Sequence, residues 1–237
     1  MSPSKEQAPR QRDESSANRK SVADVLAKCL PPPTDGRPVL LCIAGPNGAG
    51  KSTLFKLLGT ELPFINADEM QKLLPPVQKR DQLAQKVTDV VRLHYVEQTA
   101  SFATETVFSD PHGAKLSMLK EAADLGYCVV LVYVALPSHT FSAARVITRV
   151  ANGGHTVPLE KLERRYHASL SNCKEALKTV EHCVVLENNH DLADDPFVPM
   201  ATTTSGQLQW AHPEIPQYLR TILPHQEPAE KKPKKKK

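Results

Sequence analysis

Val39-Leu40-Leu41-Cys42-Ile43-Ala44-Gly45-Pro46-Asn47-Gly48-Ala49-Gly50-Lys51-Ser52-Thr53 decides how this chain is read. Six apolar residues run into a glycine-rich loop that fits the pattern G-x-x-x-x-G-K-[ST], and Ser52 to Leu58 continues as a helix. Strand, loop and helix in that order are the context the pattern requires. The glycines let the backbone curl until successive N–H groups aim at one phosphate chain. A helix opening near Lys51 adds its positive N-terminal end. Gly45, Pro46, Asn47, Gly48, Ala49, Gly50, Lys51, Ser52 and Thr53 are therefore expected to cradle ATP, with Lys51 reaching the β- and γ-phosphates and Ser52 holding Mg²⁺.

Outward from this loop the chain alternates between strand and helix patterns. Phe64 to Ala67 reads as a second strand and Glu69 to Leu73 as a short helix, broken by Pro75-Pro76. Leu83, Val87, Val90, Val91 and Tyr95 recur at helical spacing between Gln82 and Ser101. Phe102 to Phe108 reads as a strand, and Lys115 to Leu125 as a helix capped by Gly126. Tyr127 to Leu136 is nearly continuous aliphatic sequence, as a parallel strand covered on both faces requires. Helices from Ser138 to Ala151 and from Pro158 to about His182, a strand over Cys183–Leu186, and a hairpin near Phe197–Met200 and Leu208–Trp210 complete the series. The alternation predicts an α/β P-loop NTPase fold, a parallel sheet with helices on both faces.

The bulk numbers agree with one such domain. The chain has 237 residues, 40% hydrophobic but only 5% aromatic, which suits a core of aliphatic strands. Its net charge of +4 is misleading. Six lysines in Lys231–Lys237 and an excess of two positive charges over the first twenty residues leave Ser21–Glu230 with a net −4. A nucleic-acid-binding face is not expected of the folded part. Five scattered cysteines with no C-x-x-C spacing point to reduced thiols, a polar N-terminus to no secretory signal, and short apolar runs to no membrane span, so a cytoplasmic location is expected. Residues 1–36 are expected to be a disordered tail and linker, 37–224 the P-loop domain, and 225–237 a disordered lysine-rich tail.

A phosphate loop alone does not name a reaction; that depends on what else reaches the strand ends, where open α/β sheets place ligands. Asn66 and Asp68 follow the second strand, and a carboxylate there can take a proton from a hydroxyl attacking the γ-phosphate. Its competing role is that of a helix cap. Thr104-Glu105-Thr106 puts a carboxylate inside a strand, where a cation, a ligand or Mg²⁺ would offset the cost of burial, unless the strand is a solvated edge. Arg145, Arg149, Arg164 and Arg165 flank the loop Asn152–Val157 and could close on phosphate as a lid; their competing role is surface ion pairing with Glu160 and Glu163.

Taken together and in order, Ile43–Thr53, Asn66-Ala67-Asp68, Glu105-Thr106, Gly126-Tyr127 with its apolar strand, and Arg145–Pro158 resemble the zeta-toxin family of P-loop kinases, in particular its branch described as predicted ABC-type ATPases. The resemblance spans about Pro38 to Asn189. It implies an ATP- and Mg²⁺-dependent kinase acting on a small-molecule hydroxyl, the better-known members taking the 3′-hydroxyl of UDP-N-acetylglucosamine and being restrained by an antitoxin. By position it implies Lys51 and Ser52 on ATP and Mg²⁺, and Asp68 as base. It further implies Glu105 and Thr106 on substrate, with Arg149 and Arg165 gripping the phosphates. Asn66, Arg145 and Arg164 join them as candidate substrate contacts. The family's usual basic residue close behind the aspartate is displaced here to Lys72, behind Glu69-Met70-Gln71. Two other classes were weighed. A transporter-type ATPase subunit needs an L-S-G-G-Q-like signature that is missing; a nucleotide-binding switch would turn over nothing and so would not need Asp68.

Overall fold

The computed structural model describes residues 22–28, 36–151, 158–188 and 196–224. Seven strands form one sheet: β1 (Val39–Ala44), β2 (Phe64–Ile65), β3 (Phe102–Thr106), β4 (Cys128–Ala135), β5 (His182–Asn188), β6 (Phe197–Thr204) and β7 (Gln207–Ala211). Their spatial order is β2-β3-β1-β4-β5-β6-β7. The first five run parallel, and β6 and β7 close the far side as an antiparallel hairpin. The eight helices among the described residues are α1 (Val22–Ala27), α2 (Lys51–Leu58), α3 (Ala67–Leu73), α4 (Arg80–Glu97), α5 (Ala114–Asp124), α6 (His139–Ala151), α7 (Leu159–Thr179) and α8 (Gln217–Arg220). None is long and apolar enough to cross a membrane.

All eight residues of β4 are buried, and so are five of the six in β1. That is what a continuous apolar run becomes when helices cover both faces of its strand. On one face Leu40, Cys42, Val129, Leu131 and Val185 pack with Leu119 of α5 and Cys173, Ala176 and Leu177 of α7. On the other, Leu41, Ile43, Val130, Val132 and Val184 pack with Leu54 of α2 and Val25 and Leu26 of α1. Cys42, Cys128, Cys173 and Cys183 are buried within these layers. Burial pushes the Cys42 thiol up to about 12, so it stays protonated and acts as a small apolar side chain.

The strand order places the site. β1 lies between β3 and β4, so connections on its two sides lead away in opposite directions and leave a crevice at its carboxyl end. The phosphate loop begins at that end.

Two details differ from the sequence reading, and one alternative within it falls away. The stretch assigned to a disordered tail and linker contains α1, because Val22, Val25 and Leu26 sit at helical spacing and dock on the sheet. The rest of that stretch (1–21 and 29–35), the 225–237 tail and the Asn152–Val157 loop lie outside the described residues. In α4 the buried stripe is Ala84, Thr88 and Arg92, while Leu83 and Val90 are exposed. Arg92 can lie inside because its guanidinium is satisfied by Thr104 Oγ1 at 2.7 Å, Asp89 Oδ1 at 2.8 Å and the Glu105 carbonyl at 2.9 Å. β3 is an interior strand between β2 and β1, not an edge.

Candidate functional site

The loop from Gly45 to Gly50 is held from outside by its own carbonyls. Lys51 Nζ donates to the carbonyls of Gly45 at 3.0 Å and Pro46 at 3.1 Å. Ser142 Oγ donates to the Asn47 carbonyl at 2.6 Å, Arg145 Nη1 to that of Gly48 at 3.3 Å, and Asn188 Nδ2 to that of Ala49 at 2.8 Å. Five consecutive carbonyls are thus engaged by side chains. Fixing the oxygens fixes the peptide planes, which commits the opposing N–H groups to a concave anion-binding arrangement.

Two glycines are required by contact as well as by conformation. Gly45 has φ 146° and a Cβ there would lie 2.3 Å from the Val134 carbonyl oxygen; Gly50 has φ 87° and a Cβ would meet Asn188 Nδ2 at 2.7 Å.

Asn188, Ser142 and Arg92 are the residues the sequence reading missed. Ser142 was legible in principle, since it stands three residues before Arg145 on the same helix face. Asn188 is a polar residue at the carboxyl end of a buried strand, where ligands and loops gather. Arg92 offered no signal among the apolar residues of α4. Asn188 is buried and bonds both Ala49 and Arg145. Asn188→Ala is therefore expected to lower unfolding free energy by about 1–3 kcal/mol, as lost buried hydrogen bonds do. Urea denaturation checks it; an unchanged midpoint would show that the loop does not depend on this amide.

Arg145, expected on substrate, donates to the Gly48 carbonyl and to both oxygens of Asn188, and its guanidinium lies over the Phe141 ring at 5.5 Å. Burial lowers its pKa from the ordinary arginine value. It buttresses the loop from behind.

Around Lys51 four elements converge. Ser52, the second residue of α2, donates its hydroxyl to Glu105 Oε2 of β3 at 2.7 Å. Burial lowers the pKa of the Lys51 ammonium; the charge of Glu105 raises it again, that of Arg149 on α6 lowers it, and that of Asp68 on α3 raises it. Lys51, Ser52, Glu105, Asp68 and Arg149 therefore share one electrostatic neighbourhood. Ser52 and Glu105 offer two hard oxygen donors side by side, a set that suits Mg²⁺.

The helix cap considered for Asp68 falls to Asn66. Asn66, only 3% exposed, is the helix cap: its Oδ1 accepts the Glu69 amide at 2.7 Å. Asp68 is exposed in the first turn of α3, with its carboxylate free of capping. Asn66, expected on substrate, has its Oδ1 engaged in this cap.

Thr106 differs from Glu105 for a plain reason. Successive strand residues face opposite sides of a sheet, and Thr106 Oγ1 accepts the amide of Phe108, itself at φ 58°, at 3.0 Å. The two were expected on substrate together, but the strand separates them.

Arg164 is exposed and Arg165 half-buried on α7. Among the described residues, neither pairs with Glu160 or Glu163. No described contact joins them to Lys51, and the loop between them and Arg149 lies outside the described residues.

A model of the family described as zeta toxin matches residues 23–194. Two crystal structures of the AvrRxo1-ORF1:AvrRxo1-ORF2 pair share the fold. The one with sulphate ions has a TM-score of 0.59 at 17% identity, and the one with ATP 0.60 at 18%; each match covers 86% of this chain and 69% of that chain. A structure of the chromosomal PezAT toxin–antitoxin system of Streptococcus pneumoniae matches with a TM-score of 0.54 at 16% identity, covering 68% of this chain and 71% of that one. In the sequence comparison with curated proteins nothing matches.

Proposed function

The chain belongs to the zeta-toxin family, and from that premise we propose that it is an ATP-dependent kinase that transfers the γ-phosphate to a hydroxyl of a small molecule. The observation that carries this reading is the meeting of a base candidate, a cation-binding pair and an arginine around Lys51. A protein that only bound nucleotide would need the loop and Lys51 but not Asp68.

The roles follow from position. The remaining loop amides (Pro46 has no N–H, and that of Ala49 bonds the Pro46 carbonyl), Lys51 and the N-terminus of α2 bind the β- and γ-phosphates. Ser52 and Glu105 would hold Mg²⁺, which when bound neutralises charge between the phosphate oxygens. Asp68 takes the proton of the acceptor hydroxyl as its oxygen forms a bond to the γ-phosphorus. The bond from that phosphorus to the bridging oxygen breaks, and ADP leaves. Asn66 keeps Asp68 in place by capping the N-terminus of α3. Arg149 and Arg165 grip the transferring phosphoryl group from the two helices that flank the 152–157 loop.

For the acceptor, the hydroxyl of a UDP-N-acetyl sugar is the first to try, on the family resemblance. The likeness to the PezAT toxin–antitoxin system extends the proposal to an antitoxin partner. Incubation with ATP, Mg²⁺ and a panel of sugar nucleotides, read by mass, tests the reading: a product heavier by one phosphoryl group supports transfer, and ADP release with no phosphorylated acceptor from any hydroxyl compound supplied opposes it.

Arg149→Ala and Arg165→Ala are expected to change stability by no more than about 0.5 kcal/mol, as surface substitutions do. Turnover should fall about tenfold or more as charge-assisted contacts are lost. Arg→Lys should restore only part, since an ammonium lacks the bidentate fork. Melting temperature and turnover on each variant decide it; lower stability with full specific activity would make these arginines structural.

A further inference from the structure

The hairpin of α6 and α7 carries a group of side chains for which the proposed reaction has no use. His139 opens α6, and Glu163 and His167 stand four residues apart on α7, on one face. One ligand atom from each of the three lies within 4.8 Å of the other two. The two imidazole rings are 5.8 Å apart between centroids. The backbone beneath them is tied down: buried Tyr166 donates its hydroxyl to the Leu136 carbonyl at 2.9 Å, three residues before His139, and its ring meets the His139 ring edge-on at 6.3 Å. The donors therefore project from two helices whose relative position the core already fixes.

We propose that His139, Glu163 and His167 form a site for a borderline divalent transition cation, Zn²⁺ fitting best, that staples α6 to α7. Two imidazoles and one carboxylate are a donor set for Zn²⁺, Ni²⁺ or Cu²⁺ rather than for Mg²⁺, which prefers oxygen. Zn²⁺ with three protein ligands leaves a fourth position to water. Bonds of about 2.0–2.1 Å in a tetrahedron put donors about 3.3 Å apart. The donors now lie within 4.8 Å of one another, and the exposed side chains of Glu163 and His167 would turn to close the difference. The site is distinct from the Ser52–Glu105 pair in place and in chemistry, so the two select different ions. His139 stands one turn before Ser142, which holds the Asn47 carbonyl, so a bound cation anchors the helix that grips the phosphate loop.

The test uses the full chain, stripped with chelator and titrated with Co²⁺ in the presence of excess Mg²⁺. One equivalent should bind with the intense visible absorption of a tetrahedral site, Zn²⁺ should displace it, and the melting temperature should rise by mass action. Losing even an outer partner of a metal ligand costs about 10–100-fold in affinity, so His139→Ala and His167→Ala should each weaken binding by at least that, and Glu163→Gln should weaken it too. Should an alanine variant fold poorly, His139→Gln and His167→Gln, which keep bulk and polarity, carry the same expectation. Absence of a tetrahedral spectrum would overturn the proposal, as would a spectrum that survives loss of both histidines. A Co²⁺-dependent dimer in sedimentation would also overturn it, since the ligands would then come from two copies.

Discussion

Lys51→Ala is expected to lower ATP turnover by about 10³-fold or more while the chain still folds. The ammonium is the only cation within the phosphate loop, and the groups that set its electrostatics come from three other elements, Glu105, Arg149 and Asp68. Removing it takes away the one cation seated in the loop itself, which the more distant arginines do not replace. The fold should tolerate the change, because the carbonyls of Asn47, Gly48 and Ala49 are still held by Ser142, Arg145 and Asn188. The Gly45 and Pro46 carbonyls lose a donor, a loss of about 1–3 kcal/mol that the rest of the fold absorbs. Turnover and circular dichroism on the same preparation check it. Near-normal turnover in a folded variant would remove the loop from the chemistry.

The second large effect is at Asp68. Asp68→Asn should retain ATP binding and lose transfer by about 10²–10⁴-fold, the usual worth of a general base. Stability should fall by no more than about 0.3–1 kcal/mol, the value of a charge at a helix N-terminus, because the cap itself is Asn66. The measurement is kcat against KM for ATP, with the melting temperature as control. Equal losses in ATP affinity and rate would assign the carboxylate to cation binding; unchanged transfer would leave the reaction without this base.

How far these roles were legible depended on the kind of signal each residue carried. β1 and β4 could be read because their apolar runs are long and bounded by glycine or proline, and the loop because its glycines obey a pattern with a mechanical cause. The end of α5 was marked by Gly126, which indeed adopts φ 89°. What could not be read was the distribution of tasks among like residues. Arg145 and Arg149 sit one turn apart with nothing in their spacing to separate them; only the packing of α6 on the loop puts Arg145 behind the glycines. Asn66 and Asp68 both qualify as caps by residue type, and the choice is made by where α3 begins. Arg92 carried no signal because two of its partners, Thr104 and the Glu105 carbonyl, lie in a different element. Long-range contacts assign roles that local pattern cannot.

The docking of α1 has a consequence for how the molecule comes together. α1 precedes β1, yet Val25 and Leu26 are covered by a layer that includes Phe197 of β6, near the far end of the sheet in chain order. The parallel strands add crossovers of their own, β1 joining β3 on one side and β4 on the other. Such an arrangement has high contact order, and loop-closure entropy must be met before the first helix gains its cover. During synthesis α1 emerges early and waits for β6, its apolar face open to other chains. A fragment ending before β6 would keep the phosphate loop but leave α1 without its cover, and would be a substrate for chaperones and proteases rather than a small working enzyme.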